Sequence, residues 1–183
     1  ILVLSHDEVV HLKCSMLGKM PGDREDKFAN LKLAYAYMCG HPGKKLLFMG
    51  QEFGQWNEWS EKRALDWYLL EDDSHKELKD FTKACLILNK KYRCLYETDY
   101  SPEGFRWINA NDKDNSVFSF IRISPDKKRH LLFVFNFTPV ERPNHRIGVP
   151  VKGKYKLVLG DDMKNQKKTL TSVRGECDGY KES

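Results

Sequence analysis

The sequence has none of the cysteine spacings that usually mark a metal or redox centre. Its five cysteines are widely separated and include no Cys-x-x-Cys pair, a pattern typical of free thiols in a reducing compartment. No apolar run is long enough to cross a membrane, and the first residues lack the basic flank and cleavage site of a signal peptide. We therefore expect a cytoplasmic protein with no metal site and no membrane partner.

A concentrated basic patch is also absent. The formal net charge is +5 over 183 residues, and basic pairs such as Lys44-Lys45 and Lys90-Lys91 are scattered along the chain. A nucleic-acid-binding protein usually concentrates its positive charge on one face, so we expect no nucleic-acid partner. Hydrophobic residues make up 40% of the chain, which is enough for a packed core in one domain or two small ones.

The first half of the chain has the pattern strand, helix, strand. The apolar run Ile1–Leu4 precedes the polar cluster Ser5–Glu8, as in a buried parallel strand that opens into a site. Apolar residues at helical spacing predict a helix from about residue 23 to Met38, and Lys45–Met49 predicts a second buried strand. This order is a βαβ unit. The local pattern alone favours a solvated loop for the polar cluster.

Aromatic residues are concentrated between residues 55 and 70, where Trp56 and Trp59 lie. Flat aromatic rings suit the C–H faces of pyranose sugars, so this segment is a candidate sugar-stacking surface. The structural alternative is a long loop held in place by its own aromatic contacts. The sequence leaves both interpretations open.

After about residue 100, the apolar period changes from 3.6 to two. Residues 117–123 alternate, and Leu131–Phe137 is apolar on both faces and predicts a central strand. Shorter alternations and turn residues follow, and together they predict an antiparallel β-sandwich. The stretch Gly160–Ser183 is polar and rich in lysine. It shows no clear closing strand, which suggests that the sequence is cut short at this end.

Several segments resemble one known family in the same order. They are Leu4–His11, Met20–Asp23, Lys27–Leu31, His41–Gly50, Glu52–Trp56, Leu65–Trp67, Pro102–Phe105, Asn136–Val140 and Arg146–Val151. These segments are similar to the glycogen branching enzymes (1,4-α-glucan branching enzymes) of the α-amylase superfamily. The matches extend over roughly residues 2 to 159, and the resemblance fades beyond Leu159.

The resemblance implies an α+β chain with two domains. Residues 1–100 would be the C-terminal portion of a (β/α)8 TIM barrel, with strands seven and eight and their helices. Residues 101–183 would be the all-β C-terminal domain of α-amylase type, an antiparallel β-sandwich. We therefore expect a C-terminal fragment of a longer enzyme. Two barrel strands without their neighbours leave sheet edges and apolar faces uncovered, so we also expect self-association of the barrel fragment.

The resemblance also implies a reaction. Branching is a retaining transglycosylation that cleaves an α-1,4 bond and transfers the chain to form an α-1,6 branch, through an oxocarbenium-like transition state. Asp7 would be the carboxylate that stabilises this positive charge, and His6 would hydrogen-bond sugar hydroxyls. Glu52, Trp56 and Trp59 are further candidates for binding α-1,4-glucan or glycogen. No cofactor is expected. The nucleophile and general acid would lie outside this sequence, which would leave the fragment inactive alone.

Two places depart from the family pattern. Gly104–Ala110 imitates the nucleophile motif, but Ile108 stands at the nucleophile position, and we interpret the segment as the start of the β-domain. The family usually has a Gly after the second His, where this chain has Leu12 following His11. This leaves the role of His11 open beyond shaping the loop.

Three alternative functions remain open. The chain could be a non-catalytic α-glucan-binding module that uses Trp56, Trp59 and Trp107. It could belong to another hydrolase of the α-amylase superfamily. A metal site is the third alternative, although the candidate ligands do not have the spacing of a His-Glu-x-x-His helix. These ligands are His6, Asp7, Glu8 and His11.

Overall fold

The computed structural model describes residues 4–161 and 168–183. Residues 1–3, the larger part of the predicted opening strand, therefore lie outside the described residues. The chain divides into two compact units, Ile1–Tyr92 and Arg93–Ser183.

The first unit is built around two long helices. Its helices are α1 (Met16–Lys19), α2 (Arg24–Gly40) and α3 (Asp73–Lys91), and its 3-10 turns are His6–Glu8, Gln51–Phe53 and Trp67–Glu71. Helix α2 begins where the sequence predicts. The Asp23 carboxylate accepts a hydrogen bond from the Asp26 N–H at 3.0 Å, and the Asp26 carboxylate accepts one from the Asp23 N–H at 3.4 Å. This reciprocal cap satisfies backbone donors that the first helical turn leaves unpaired.

Helix α2 buries the apolar stripe that its sequence predicts. The buried members are Phe28, Leu31, Tyr35 and Met38, which pack with Leu4, Leu17 and Leu78. The Tyr35 hydroxyl donates to the Gln51 carbonyl at 2.8 Å, so this buried polar atom has a partner. Burial, and to a smaller extent the charge of Glu52, raises the pKa of Tyr35 above its usual value.

The second predicted strand of the first unit is reduced to one bridging residue. Leu47 forms an isolated parallel bridge with Leu4, the direction that a βαβ unit requires. Leu46 and Met49 are 43% and 49% exposed, so the prediction of a buried strand over Lys45–Met49 is wrong. Parallel strands are normally covered on both faces and flanked by others. The described part of this unit contains no third strand that could do so.

Two buried cysteines connect the long helices. Cys39 on α2 and Cys85 on α3 are both buried. The Cys39 thiol donates to the Cys85 carbonyl at 3.2 Å. The interaction with Cys39, followed by burial, raises the pKa of the Cys85 thiol above its usual value. A thiol that resists ionisation in this way is a packing group rather than a nucleophile.

The second unit is an all-β arrangement of antiparallel sheets, as predicted. Its strands are β1 (Phe105–Asp112), β2 (Val117–Ile123), β3 (His130–Asn136), β4 (Lys154–Lys156), β5 (Thr169–Thr171), β6 (Arg174–Cys177) and β7 (Tyr180–Glu182), and its 3-10 turns are Arg93–Leu95 and Pro102–Gly104. Strands β1, β2 and β3 form one sheet in that order, β4 pairs with β5, and β6 pairs with β7. Strand β1 starts at Phe105, so the segment Gly104–Ala110 that imitates the nucleophile motif lies at the first strand of this unit.

The central strand of the largest sheet is β2 and not β3. Strand β2 pairs with β1 on one side and with β3 on the other, whereas β3 ends this sheet in the described residues. The prediction that residues 131–137 form a central strand is therefore wrong. The apolar character of β3 has another cause, because Phe133 and Phe135 contact the buried ring of Phe120 across the strands.

The last part of the chain contains three strands that the sequence does not predict. Strands β5, β6 and β7 fall within Gly160–Ser183, where no closing strand is expected. Each has three or four residues, and β5 is exposed along its whole length. Strands of three or four residues are too short to show the apolar alternation by which strands are recognised.

An ion pair lies inside the core of the second unit. Arg122 on β2 donates through Nη2 to the Asp99 carboxylate at 2.7 Å and through Nε to the Gly104 carbonyl at 3.2 Å. The two charged side chains are only 0% and 3% exposed. Charges this deeply buried are tolerated only when they are paired and hydrogen-bonded. The pair therefore ties β2 to the segment that precedes β1.

Candidate functional site

The polar cluster after Leu4 folds into a single 3-10 turn, His6–Glu8. The Ser5 hydroxyl accepts from the Asp7 N–H at 3.3 Å and donates to Asp7 Oδ2 at 3.2 Å. His6 Nε2 lies 3.2 Å from the other carboxylate oxygen, Oδ1. Both oxygens of Asp7 are thus oriented by groups of their own turn.

The paired side chains of this turn are open to solvent. His6 and Asp7 are 56% and 68% exposed, so an approaching polyol can reach both polar groups. In water a lone carboxylate stabilises a nearby positive charge only weakly, and the same carboxylate is far more effective where protein excludes water. The arrangement is therefore a polar, partly preorganised site with an open side.

Two lysines hold the turn from its C-terminal side. Lys13 Nζ donates to the Asp7 carbonyl at 2.8 Å. Lys19 Nζ donates to the Glu8 carbonyl and lies 3.2 Å from Glu8 Oε2. Because Glu8 is engaged with Lys19, its side chain shapes the loop.

The loop after the turn has an unusual backbone. His11, Leu12 and Cys14 have φ angles of 58°, 67° and 69°, in the left-handed region that favours glycine. The Glu58 carboxylate accepts from the N–H of Leu12 at 3.1 Å and from that of Cys14 at 2.5 Å. Sequence reasoning missed Glu58, because it lies far along the chain in a segment without a periodic pattern.

Replacing Leu12 by glycine should stabilise the chain by about 0.5–1 kcal/mol. A non-glycine residue in the left-handed region costs on the order of 1–3 kcal/mol, part of which the greater chain entropy of glycine offsets. The Leu12 side chain is 98% exposed, so its removal sacrifices almost no burial. Urea unfolding checks this expectation. Leu12→Ala is the matched control, since it removes the side chain and keeps the backbone strain. A glycine variant less stable than the alanine variant would contradict it.

The structure brings Trp59 close to the turn and packs Trp56 against helix α2. The Trp59 ring packs edge-on against Phe48 at 5.1 Å, and the Phe48 ring lies 5.9 Å from that of His6. Trp56 packs edge-on against Phe28. Both tryptophans are partly buried against the core cluster. These contacts hold the 55–70 loop in place, and sugar stacking by the exposed parts of the two rings stays a prediction.

The remaining candidates are on other elements of the chain. Glu52 is in the Gln51–Phe53 turn and is half-buried, and its charge acts on the buried Tyr35. Trp107 is on β1 of the second unit, edge-on against Phe120. Glucan binding by Glu52 and Trp107 stays a prediction.

The described residues show neither a metal-binding cluster nor a membrane-spanning helix. No group of three or more His, Cys, Asp or Glu side chains in this part of the chain is placed to hold a metal ion. Within the same residues, no helix has the length and apolar character needed to cross a membrane.

Comparison with known proteins finds one matching family model and several similar curated sequences. Residues 107–183 match the family model of the alpha amylase C-terminal all-beta domain. The 1,4-alpha-glucan branching enzyme of Butyrivibrio fibrisolvens is 51% identical, over 100% of this chain and 29% of its own length. The corresponding enzyme of Aquifex aeolicus is 49% identical over 90% of this chain and 26% of its own length. That of Thiobacillus denitrificans is 52% identical over 88% of this chain and 22% of its own length.

These comparisons correct the expectation about the end of the chain and show how much of its relatives the chain covers. The family model matches to residue 183, so the expectation that the resemblance fades beyond Leu159 is wrong. The short strands β5, β6 and β7 lie within this matched stretch. The chain spans less than a third of the length of the curated relatives it matches.

Proposed function

We propose that the chain belongs to the family of 1,4-α-glucan branching enzymes and is the C-terminal part of such an enzyme. The whole protein cleaves an α-1,4 bond of glycogen or a related α-glucan and transfers the chain to form an α-1,6 branch. The reaction is a retaining transglycosylation in the cytoplasm and uses no cofactor. What carries the proposal is identity of about 50% across nearly the whole chain, together with the solvent-open pair His6 and Asp7.

The proposal assigns an electrostatic role to Asp7. As the glycosidic bond breaks, positive charge develops on the sugar ring, and a fixed carboxylate beside the ring lowers the energy of that state. Ser5 and His6 orient the carboxylate before the substrate arrives, so little reorganisation is needed during the reaction. His6 hydrogen-bonds sugar hydroxyls from the same turn. The nucleophile and the general acid come from parts of the enzyme outside this sequence.

The proposal also assigns the two parts of the chain to two domains. Residues 1–100 form the last portion of a (β/α)8 barrel, and residues 101–183 form the β-sandwich domain. The parallel bridge between Leu4 and Leu47, with α2 between them in sequence, supports the barrel assignment. In a barrel the C-terminal ends of the strands carry the chemistry, and the His6–Glu8 turn follows Leu4 directly.

The first part of the chain has apolar surface for a partner. Leu46 and Met49, and on helix α3 Leu86 and Ile87, are substantially exposed. Apolar groups of this kind favour association when no other chain covers them. Self-association of the isolated chain is therefore part of the proposal.

A chimera tests the proposed function. This chain replaces the matching segment of the Butyrivibrio fibrisolvens enzyme, to which it aligns over 100% of its length. We expect the chimera to lower the iodine colour of amylose and the isolated 183-residue chain to leave it unchanged. The unmodified relative is the control. A folded but inactive chimera would contradict the branching assignment. Activity of the isolated chain would show that the nucleophile lies within it and that our placement of the catalytic groups is wrong.

A further inference from the structure

We propose that Glu58 is a positioning residue that holds the His6–Glu8 turn in its working geometry. The inference rests on the proposed function of Asp7. Glu58 is not part of the turn, and none of the motifs that point to the family includes it. The two residues Glu58 and Trp59 nevertheless contact the turn and its following loop at several points, and their contacts converge on Asp7 and His6.

The Glu58 carboxylate occupies an anion site made by backbone groups. Each of its oxygens accepts one N–H bond, Oε2 from Leu12 at 3.1 Å and Oε1 from Cys14 at 2.5 Å. Left-handed residues such as those in this loop can turn nearby N–H groups toward one side and create a concavity for an anion. Hydrogen bonds to an ionised acceptor are stronger than neutral ones. The carboxylate thereby compensates a backbone conformation that is otherwise costly.

The loop that Glu58 binds is connected directly to Asp7. Lys13 lies between the two residues whose N–H groups Glu58 binds, and its Nζ donates to the Asp7 carbonyl at 2.8 Å. Fixing the backbone on both sides of Lys13 fixes the origin of this side chain. On the other side of the loop, the Trp59 N–H donates to the Val9 carbonyl at 3.0 Å, two residues after Asp7.

The segment formed by Glu58 and Trp59 also reaches His6, through aromatic packing. The Trp59 ring lies edge-on against Phe48 at 5.1 Å, and Phe48 lies 5.9 Å from the His6 ring. Glu58 and Trp59 therefore support both members of the proposed pair. The contacts assign Trp59 a supporting function in addition to any contact with sugar.

The conservative variant Glu58→Gln distinguishes the hydrogen bonds accepted by the Glu58 carboxylate from simple packing of its side chain. A glutamine has nearly the same shape, but its amide offers one oxygen acceptor and turns an NH2 donor toward the second N–H. In the 183-residue chain, we expect amide hydrogen exchange at Leu12 or Cys14 to accelerate on the order of tenfold or more. Glu61→Gln is the matched control, because it removes the same charge from an exposed position of the same loop. Equal exchange in the two variants would overturn the proposal.

The chimera described above supplies the catalytic readout. We expect Glu58→Gln to lower kcat on the order of 10- to 100-fold, with KM changed much less, because a small displacement of a catalytic group costs that much. In an Asp7→Asn background the same change should have little further effect, since Glu58 acts through Asp7. Equal losses in both backgrounds would indicate general structural damage and overturn the positioning role. If the chimera with Glu58 intact shows no branching, the proposed function fails. The exchange experiment alone then decides whether Glu58 holds the loop.

Discussion

Asp99→Asn should destabilise the second unit by about 3–5 kcal/mol, the range for removing one partner of a buried ion pair. Arg122 is fully buried, and its guanidinium donates to the Asp99 carboxylate at 2.7 Å. The asparagine keeps the shape and one acceptor but removes the negative charge. The guanidinium cannot lose its proton at accessible pH, so the variant must keep this charge in the core without the carboxylate of Asp99. Such a loss is a large part of the total stability of a small domain.

Two comparison variants make this expectation specific. Glu103→Gln also neutralises a carboxylate that faces a cation, but Glu103 and Lys127 are largely exposed, and surface pairs contribute only about 0–1 kcal/mol. The double variant Asp99→Leu with Arg122→Met removes both charges and should recover most of the stability. Because the two units can unfold separately, hydrogen exchange of the β2 amides should accompany urea unfolding. A cost for Asp99→Asn no larger than that of Glu103→Gln would contradict the expectation.

Asp7→Asn should lower the kcat of the chimera on the order of 10²–10³-fold, with a much smaller change in KM. The substitution keeps the size of the side chain and its hydrogen bond to Ser5 but removes the charge. Electrostatic stabilisation of a charged transition state is lost on this scale when one preorganised group is removed. Loss in kcat with KM largely kept identifies an interaction made in the transition state rather than in substrate binding.

The matched control for this substitution is Asp73→Asn. Asp73 is at the start of α3, is almost fully exposed and pairs only with the surface Lys76 among the described contacts. Iodine colour with amylose and the reducing ends released by water should be measured together. If Asp7→Asn and Asp73→Asn branch amylose equally well, Asp7 is not the transition-state carboxylate. If the chimera releases reducing ends without forming branches, the alternative of a superfamily hydrolase is favoured.

The helix and the sheet that local pattern marks clearly are the parts that the sequence predicted well. Helix α2 follows from its apolar spacing and from Asp23, whose side chain can cap the first turn. Strand β2 follows from the alternation predicted over residues 117–123, where Val117, Ser119 and Ile121 are all buried. In both cases the signal is local, because the side chains that face the core recur with the period of the element itself.

Strand position and strand burial were less predictable, because they depend on neighbours. The apolar run at 131–137 looks central, yet β3 ends its sheet, and its rings pack within one aromatic cluster. The run Lys45–Met49 looks buried, yet among the described residues only Leu47 makes a bridge. An apolar run indicates that a surface is covered by other parts of the protein. It does not identify the element that covers this surface.

By itself, the sequence determined the family resemblance, helix α2, the antiparallel β-domain and the candidate pair His6 and Asp7. Each follows from motifs or periodicities that lie within a few residues of one another. Only the tertiary structure decided that Arg122 is buried against Asp99 and that the carboxylate of Glu58 binds the N–H groups of Leu12 and Cys14. These contacts join residues that are far apart in the chain and share no pattern. Their existence depends on how the backbone closes in space, and a residue's identity alone does not specify the partner that it meets there.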